Sequence, residues 1–191
     1  MFDLTLSFDN GPEPDVTPGV LDILRRRGIR TTFFVIGEKL TDPARRRLAA
    51  RAHDEGHWIG NHTYTHSVPL GRQGDAEAAE HEIARTQKLI ADLAHPQRWF
   101  RPFGGGGHLD DGLLKPSVVD HLVHGGYSCV LWNAIPRDWD DPDGWVDRAL
   151  AQCCSQDWSL MVIHDLPTGA ICRLDEFLDR AGEMGVRIHQ E

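Results

Sequence analysis

Short apolar, β-branched segments alternate with amphipathic ones along the whole chain, and this alternation most restricts the folds open to it. Phe2 to Phe8 is apolar and β-prone. Thr17-Pro18 supplies a cap and a first-turn proline for a helix bearing Val20, Leu21, Ile23 and Leu24, and Gly28 stops it. Thr31 to Ile36 reads as a buried strand, Thr41-Asp42-Pro43 opens a second helix that Gly56 closes, and His57 to Gly60 is a short strand. Asp75 to Leu93, with Ala79, Ile83, Ile90 and Leu93 on one side, reads as the longest helix. Strands at Gln97–Arg101, Tyr127–Trp132, Ser159–Ile163 and Val186–His189 then alternate with helices at Ser117–Val123, Pro142–Cys154 and Leu174–Gly182. Strands joined through helices pair in parallel, because parallel neighbours need a crossover. Seven such units predict a closed or nearly closed barrel rather than a flat doubly wound sheet. The prediction is a single domain over residues 1–191.

The charge balance narrows the partners. With 20 Lys and Arg against 29 Asp and Glu, the net charge of −9 argues against a nucleic-acid binder, whose surface selects basic residues. The runs Arg25–Arg27 and Arg45–Arg47 read as solvated helix ends. Four cysteines, Cys129, Cys153, Cys154 and Cys172, form no CxxC pair and no disulfide framework, which favours a reducing compartment. The amino terminus lacks a basic region followed by a long apolar run, and no segment approaches the ~20 apolar residues that span a bilayer. The expected location is cytoplasmic for the sequence as it stands, and periplasmic or secreted if an amino-terminal segment has been removed.

In parallel α/β barrels, chemistry gathers where strands hand over to the following loops. Asp9 and Asn10 follow the first predicted strand, His62 and His66 the third, Arg101 ends the fourth, Asp138 follows the fifth and His164 the sixth. All seven are thus expected on one rim. Two histidines four residues apart can aim at one metal ion, with the Asn10 carboxamide as a third ligand and open positions left for water and substrate. A metal acidifies bound water and polarises a carbonyl. Asp9 suits the general base, and His164 the acid that protonates a leaving nitrogen. Arg101 would orient Asp9 and keep it ionised, while Asp138 would keep His164 protonated. The four glycines Gly104–Gly107 lack a following Lys-Ser/Thr and do not form a phosphate loop.

Five segments in order carry a resemblance. Ser7-Phe8-Asp9-Asn10-Gly11 looks like TFDDG, and His62-Thr63-Tyr64-Thr65-His66 matches H[ST]xxH. Phe100-Arg101-Pro102-Phe103-Gly104 is similar to an RxP-type segment, and Trp132 through Asp138-Trp139 to a strand with a tryptophan that ends in Asp-Trp. Val162-Ile163-His164-Asp165 is similar to a hydrophobic strand ending in His-Asp. Over nearly its full length the chain resembles the NodB-homology polysaccharide deacetylases, carbohydrate esterase family 4. The resemblance implies that family's seven-stranded distorted barrel and removal of acetyl from an N-acetylated amino-sugar oligomer or polymer. It implies Asp9 as base, His164 as acid, Arg101 as support for Asp9, and Asn10, His62 and His66 as ligands to a divalent metal. Zinc is the first expectation for that metal and cobalt or nickel the alternatives. Trp139 would wall the substrate groove.

Two departures stand out. Asn10 replaces the usual second aspartate, which removes a negative charge from the metal site, although the muramic-acid deacetylase branch carries FDNG too. Phe103-Gly104-Gly105-Gly106-Gly107-His108 stands where the family has a proline and an aromatic residue, and backbone N–H groups near Gly104 are candidate oxyanion donors. Two other readings stay open: the same mechanism on a non-sugar amide or formamide, and a carbohydrate-binding pseudoenzyme disabled at Asn10.

Overall fold

The computed structural model describes residues 2–74 and 77–191, so the expected start of the third helix at Asp75 lies outside the described residues. The strands are β1 (Phe2–Asp9), β2 (Thr32–Val35), β3 (Trp58–Asn61), β4 (Trp99–Phe100), β5 (Ser128–Cys129), β6 (Trp158–His164) and β7 (Val186–His189). The helices are α1 (Thr17–Arg27), α2 (Pro43–Asp54), α3 (Arg85–Leu89), α4 (Pro116–His124), α5 (Trp145–Cys154) and α6 (Leu174–Glu183). All strand pairings among the described residues are parallel, in the order β5-β4-β3-β2-β1-β6. β6 takes one edge of β1 along Asp3–Asp9; the other edge is divided between β7, against Phe2–Thr5, and β2, against Ser7–Asp9. The sheet curls until Ala134, beyond β5, bridges to Met161 of β6. The barrel is therefore nearly closed and held at its seam by a short bridge.

β1 shows why the sequence folds this way. Its last six residues are all buried, as a central parallel strand requires. Leu4, Leu6 and Phe8 point one way, into a core shared with Val20, Leu21 and Leu24 of α1, Trp145 of α5 and Phe177 of α6. Each such side chain contributes about 1.5–3 kcal/mol through its removal from water. Thr5, Ser7 and Asp9 point the other way, since strand side chains alternate. That inner face is polar and narrow. Phe34 of β2 also lies on it, and a Cβ at Gly60 of β3 would fall 2.5 Å from the Phe34 ring, so only glycine leaves room there. The helix layer is tied outside by ion pairs from Arg26 and Arg27 of α1 to Asp175 and Asp179 of α6. The first arginine run thus links two helices rather than simply facing solvent.

Four elements differ from the sequence expectation. β4 and β5 have two residues each, where strands over Gln97–Arg101 and Tyr127–Trp132 were expected. Past their ends, the carbonyls of Arg101, Val130 and Leu131 accept hydrogen bonds from side chains instead of from a neighbouring strand. The third helix opens with a π turn at Glu80–Ala84 and ends at Leu89; Ile90 has left helical geometry at φ −107° and ψ 11°. Leu93 therefore sits in a turn, because Ala94 is drawn onto the sheet beside Ile59. α5 starts at Trp145 rather than Pro142, since Asp141 Oδ1 accepts the Gly144 N–H and holds the preceding residues in a turn. No helix among the described residues is long and apolar enough to cross a membrane.

Candidate active site

Asp9 ends β1 on the inner face, 3% exposed. Arg101, fully buried, crosses the barrel interior from the end of β4 and donates from Nη1 to Asp9 Oδ1 at 2.7 Å and to Ser7 Oγ at 2.8 Å. Its Nε and Nη2 donate to the carbonyls of Val130 and Leu131, and its plane lies 3.9 Å over the Phe34 ring. Burial pulls the guanidinium below its ordinary pKa and Asp9 opposes this, but a guanidinium keeps its proton in proteins. Burial also pushes the Asp9 pKa upward. The charges of Arg101 and His164 and the Arg101 hydrogen bond overcome this and hold the carboxyl below the usual carboxylate value. Asp9 is thus ionised, with Oδ1 occupied by Arg101.

Asp9 Oδ2 faces His62 Nε2 at 3.4 Å. His62 Nδ1 lies 2.8 Å from the Arg101 carbonyl, which can only accept, so Nδ1 carries the proton and Nε2 presents a lone pair. Burial lowers the His62 pKa and lowers that of His66 to about 3, so both rings are neutral. The two rings lie 4.7 Å apart between centroids. Asn10, at φ 77°, has a buried Oδ1 with no hydrogen-bond partner. The His62 Nε2 lone pair thus faces Asp9 Oδ2, and the buried Asn10 oxygen on the next residue has no donor, acceptors of a kind that suit a cation. Among the described residues, no three His, Cys, Asp or Glu side chains are grouped to hold an ion without help from an amide oxygen. The donor set fits a divalent metal on two imidazoles and the Asn10 carboxamide, with reduced negative charge.

Beside Asp9 lies His164, at the end of the neighbouring strand β6 and in register with it. Asp138 grips it twice: Oδ2 accepts the His164 backbone N–H and Oδ1 lies 2.8 Å from Nδ1. Burial pushes the imidazole pKa down, but the hydrogen bond and charge of Asp138, together with the charge of Asp9, outweigh it and leave the pKa raised. The Trp139 ring meets His164 edge-on at 4.8 Å and is 40% exposed, so it keeps a free surface beside the imidazole.

Asp9, Asn10, His62, His66, Phe103, Gly104, Trp139 and His164 share one cavity of about 370 Å³, whose far wall is apolar through Trp132, Ile135, Val162 and Leu166. Arg101 and Asp138 do not line this cavity. They stand behind Asp9 and His164 because their hydrogen bonds are used inward. The Phe103 ring packs on His66 at 4.2 Å, and Gly104 has φ 88° with ψ −160°, a backbone region that only glycine enters readily. A larger groove of about 490 Å³ at the amino-terminal ends of β2 and β3 includes none of the predicted site residues.

Several supporting residues escaped sequence reasoning. Ser7 orients Arg101, Lys39 donates to the Asn10 carbonyl at 2.7 Å, and buried Glu82 accepts from the loop between the two histidines. Asp165, whose burial raises its pKa to about 7, packs against Gly11 and accepts from Thr17. Ser7 and Asp165 lie inside motifs already singled out, which is a usable signal. Glu82 and Lys39 carry none, because a charged residue in a helical stretch ordinarily faces water.

A curled parallel sheet that gathers a buried carboxylate, two neutral histidines and a carboxylate-held histidine in one rim cavity is the arrangement of an α/β-barrel hydrolase. The polysaccharide deacetylase profile matches residues 3–115, and the chain belongs to that family. It is 33% identical over 168 residues to a chitooligosaccharide deacetylase of Rhizobium leguminosarum bv. trifolii, covering 84% of this chain and 70% of that protein. It is 26% identical over 185 residues to the peptidoglycan-N-acetylglucosamine deacetylase PgdA of Listeria monocytogenes (strain 10403S). That match covers 95% of this chain but 36% of the relative, so the chain spans about a third of its length. The family 4 carbohydrate esterase of Streptomyces lividans, solved in complex with acetate, superposes with a TM-score of 0.77 at 26% identity, covering 97% of this chain and 90% of that one. Deacetylases of this family are metal-dependent.

Proposed function

We propose that the chain hydrolyses the N-acetyl group of amino sugars within an oligomeric or polymeric glycan, using zinc, with cobalt or nickel as substitutes. The observation that carries this reading is one cavity in which an ionised Asp9, the neutral His62 and His66 and the unpartnered Asn10 oxygen meet a His164 whose proton is held by Asp138. Asn10, His62 and His66 would hold the ion, which supplies an acidified water and polarises the amide carbonyl when bound. Asp9 Oδ2, the oxygen not bonded to Arg101, takes a proton from the attacking water. Oxygen bonds to the carbonyl carbon, the carbon–nitrogen bond breaks, and His164 gives its proton to the departing nitrogen. Acetate and a free amine result. The exposed ring of Trp139 supports stacking on a sugar face, and the open groove favours a polymer over an enclosed small molecule. The two relatives named above for chitooligosaccharide and peptidoglycan support the same substrate class.

The test is release of acetate and amine from N-acetylglucosamine oligomers and peptidoglycan fragments with added zinc, cobalt or nickel. Asp9→Asn and His164→Ala should each lower kcat by roughly 10²–10⁴-fold, the range for general acid–base groups. KM should change far less, because neither role is mainly a ground-state contact. Glycan binding with no amide cleaved under any metal would establish a carbohydrate-binding pseudoenzyme instead. Cleavage of non-sugar amides alone would keep the mechanism and change the substrate.

A further inference from the structure

His66 stands on a loop that the backbone does not favour. Thr63 has φ 65° and His66 φ 52°, left-handed values that non-glycine residues adopt only when their surroundings hold them. One buried carboxylate supplies three of the hydrogen bonds that restrain the loop. Glu82, 7% exposed, accepts from the backbone N–H of Tyr64 at 2.9 Å and of Thr65 at 2.8 Å through Oε2, and from the Thr65 hydroxyl at 2.7 Å through Oε1. All three donors lie between the two histidines. Glu82 sits within the π turn ahead of α3, and Asn61 fastens that turn to the loop, donating to the Ile83 carbonyl at 2.9 Å while accepting the Thr63 N–H at 3.0 Å. The Arg85 guanidinium caps the Tyr64 ring at 3.7 Å. A π turn inserts a residue into a helix and re-aims the side chains around it, and such turns are frequent at functional sites.

We infer that Glu82 is a positioning residue for the histidine pair: its carboxylate fixes the Tyr64–Thr65 backbone, and so sets His66 where it shares an ion with His62. This rests on the metal reading of the site proposed above. The carboxylate touches neither imidazole and acts through hydrogen-bonded reach. Glutamine keeps that reach, since its carbonyl oxygen can accept the two N–H groups and its amide can donate to Thr65 Oγ1. Aspartate keeps the charge but is one methylene too short.

The experiment is calorimetric titration of the full chain with zinc, alongside the cobalt(II) absorption spectrum, for wild type, Glu82→Gln, Glu82→Ala and Glu82→Asp, with His66→Ala as the ligand control. Glu82→Ala and Glu82→Asp should bind zinc about 10–100-fold more weakly, the range for groups that orient ligands without touching the metal. Both should alter the cobalt spectrum, whereas Glu82→Gln should stay near wild type in both readouts. If Glu82→Ala does not fold, Glu82→Asp against Glu82→Gln carries the same comparison. Wild-type affinity and spectrum in Glu82→Asp, with binding lost in His66→Ala, would overturn the inference and leave the metal reading standing. A wild-type chain that takes up no zinc, cobalt or nickel would overturn both.

Discussion

Arg101 and Asp9 close a buried ion pair across the barrel interior, Nη1 to Oδ1 at 2.7 Å, although β2 and β3 separate their strands in the sheet. The pair cannot be a surface ornament. Arg101 is fully buried and Asp9 nearly so, and the guanidinium is also committed to Ser7, Val130 and Leu131. It therefore fills the barrel axis and aims the carboxylate at once.

Removing one partner should expose the cost of burying the other. Arg101→Leu is expected to lower unfolding free energy by about 3–5 kcal/mol, because the Asp9 charge is left uncompensated. Urea unfolding at neutral pH measures this. A loss under about 1 kcal/mol would show that Asp9 can shed its charge without Arg101.

Activity should fall on the alkaline side. His164 donates only while protonated, and its pKa is raised above the ordinary histidine value, so the rate is expected to decline as pH climbs through that raised value. In Asp138→Asn the largest opposing contribution is gone, and burial pushes the imidazole pKa down against the lesser charges of Asp9 and Asp165 alone. The alkaline limb of kcat/KM should then move to lower pH. An unmoved limb would assign it to another group.

In the proposed cation site Asn10 stands where a carboxylate would add charge. Asn10→Asp restores a second carboxylate beside Asp9, so zinc should bind more tightly, while the metal-free protein should melt at lower temperature through like-charge repulsion. Calorimetry and thermal melting with and without zinc test both halves. Unchanged affinity would place the Asn10 side chain away from the ion.

His57 links stability to pH at a distance from the chemistry. Its ring is buried beside Phe33, Nδ1 accepts the Thr31 N–H at 3.1 Å, and burial lowers its pKa to about 4. The unfolded chain takes up this proton near pH 6.5 and the folded chain only near 4, so between them the unfolded state binds more protons. Stability is expected to be lost as pH falls through that window, by about 2 kcal/mol at pH 5. His57→Gln should lose correspondingly less between pH 7 and 5. Equal losses in both proteins would remove His57 as the cause.

Much of this protein was legible in the sequence, for a reason visible in β1 and the histidine pair. Parallel barrel strands are buried on both faces and joined by amphipathic helices, so apolar runs and caps such as Thr17-Pro18 with Gly28 mark the elements directly. Residues at strand ends converge on one rim by topology, which is why Asp9, Asn10, His62, His66 and His164 could be placed together from order alone. The short strands β4 and β5 were less legible, because their length depends on carbonyls diverted to Arg101 and His62, which are partners remote in sequence.

The local code thus determined the alternation of strands and helices, the rim and the chemically competent side chains, since periodicity, capping and motif spacing act over a few residues. Only the tertiary structure decided which groups stand behind the cavity wall, how Asp9 stays ionised while buried, and that Glu82 of a helical turn faces inward to hold the histidine loop. Those outcomes depend on distances between segments far apart in the chain. There the balance between desolvation and a fixed hydrogen-bonding partner sets both charge and orientation, and no local pattern records it.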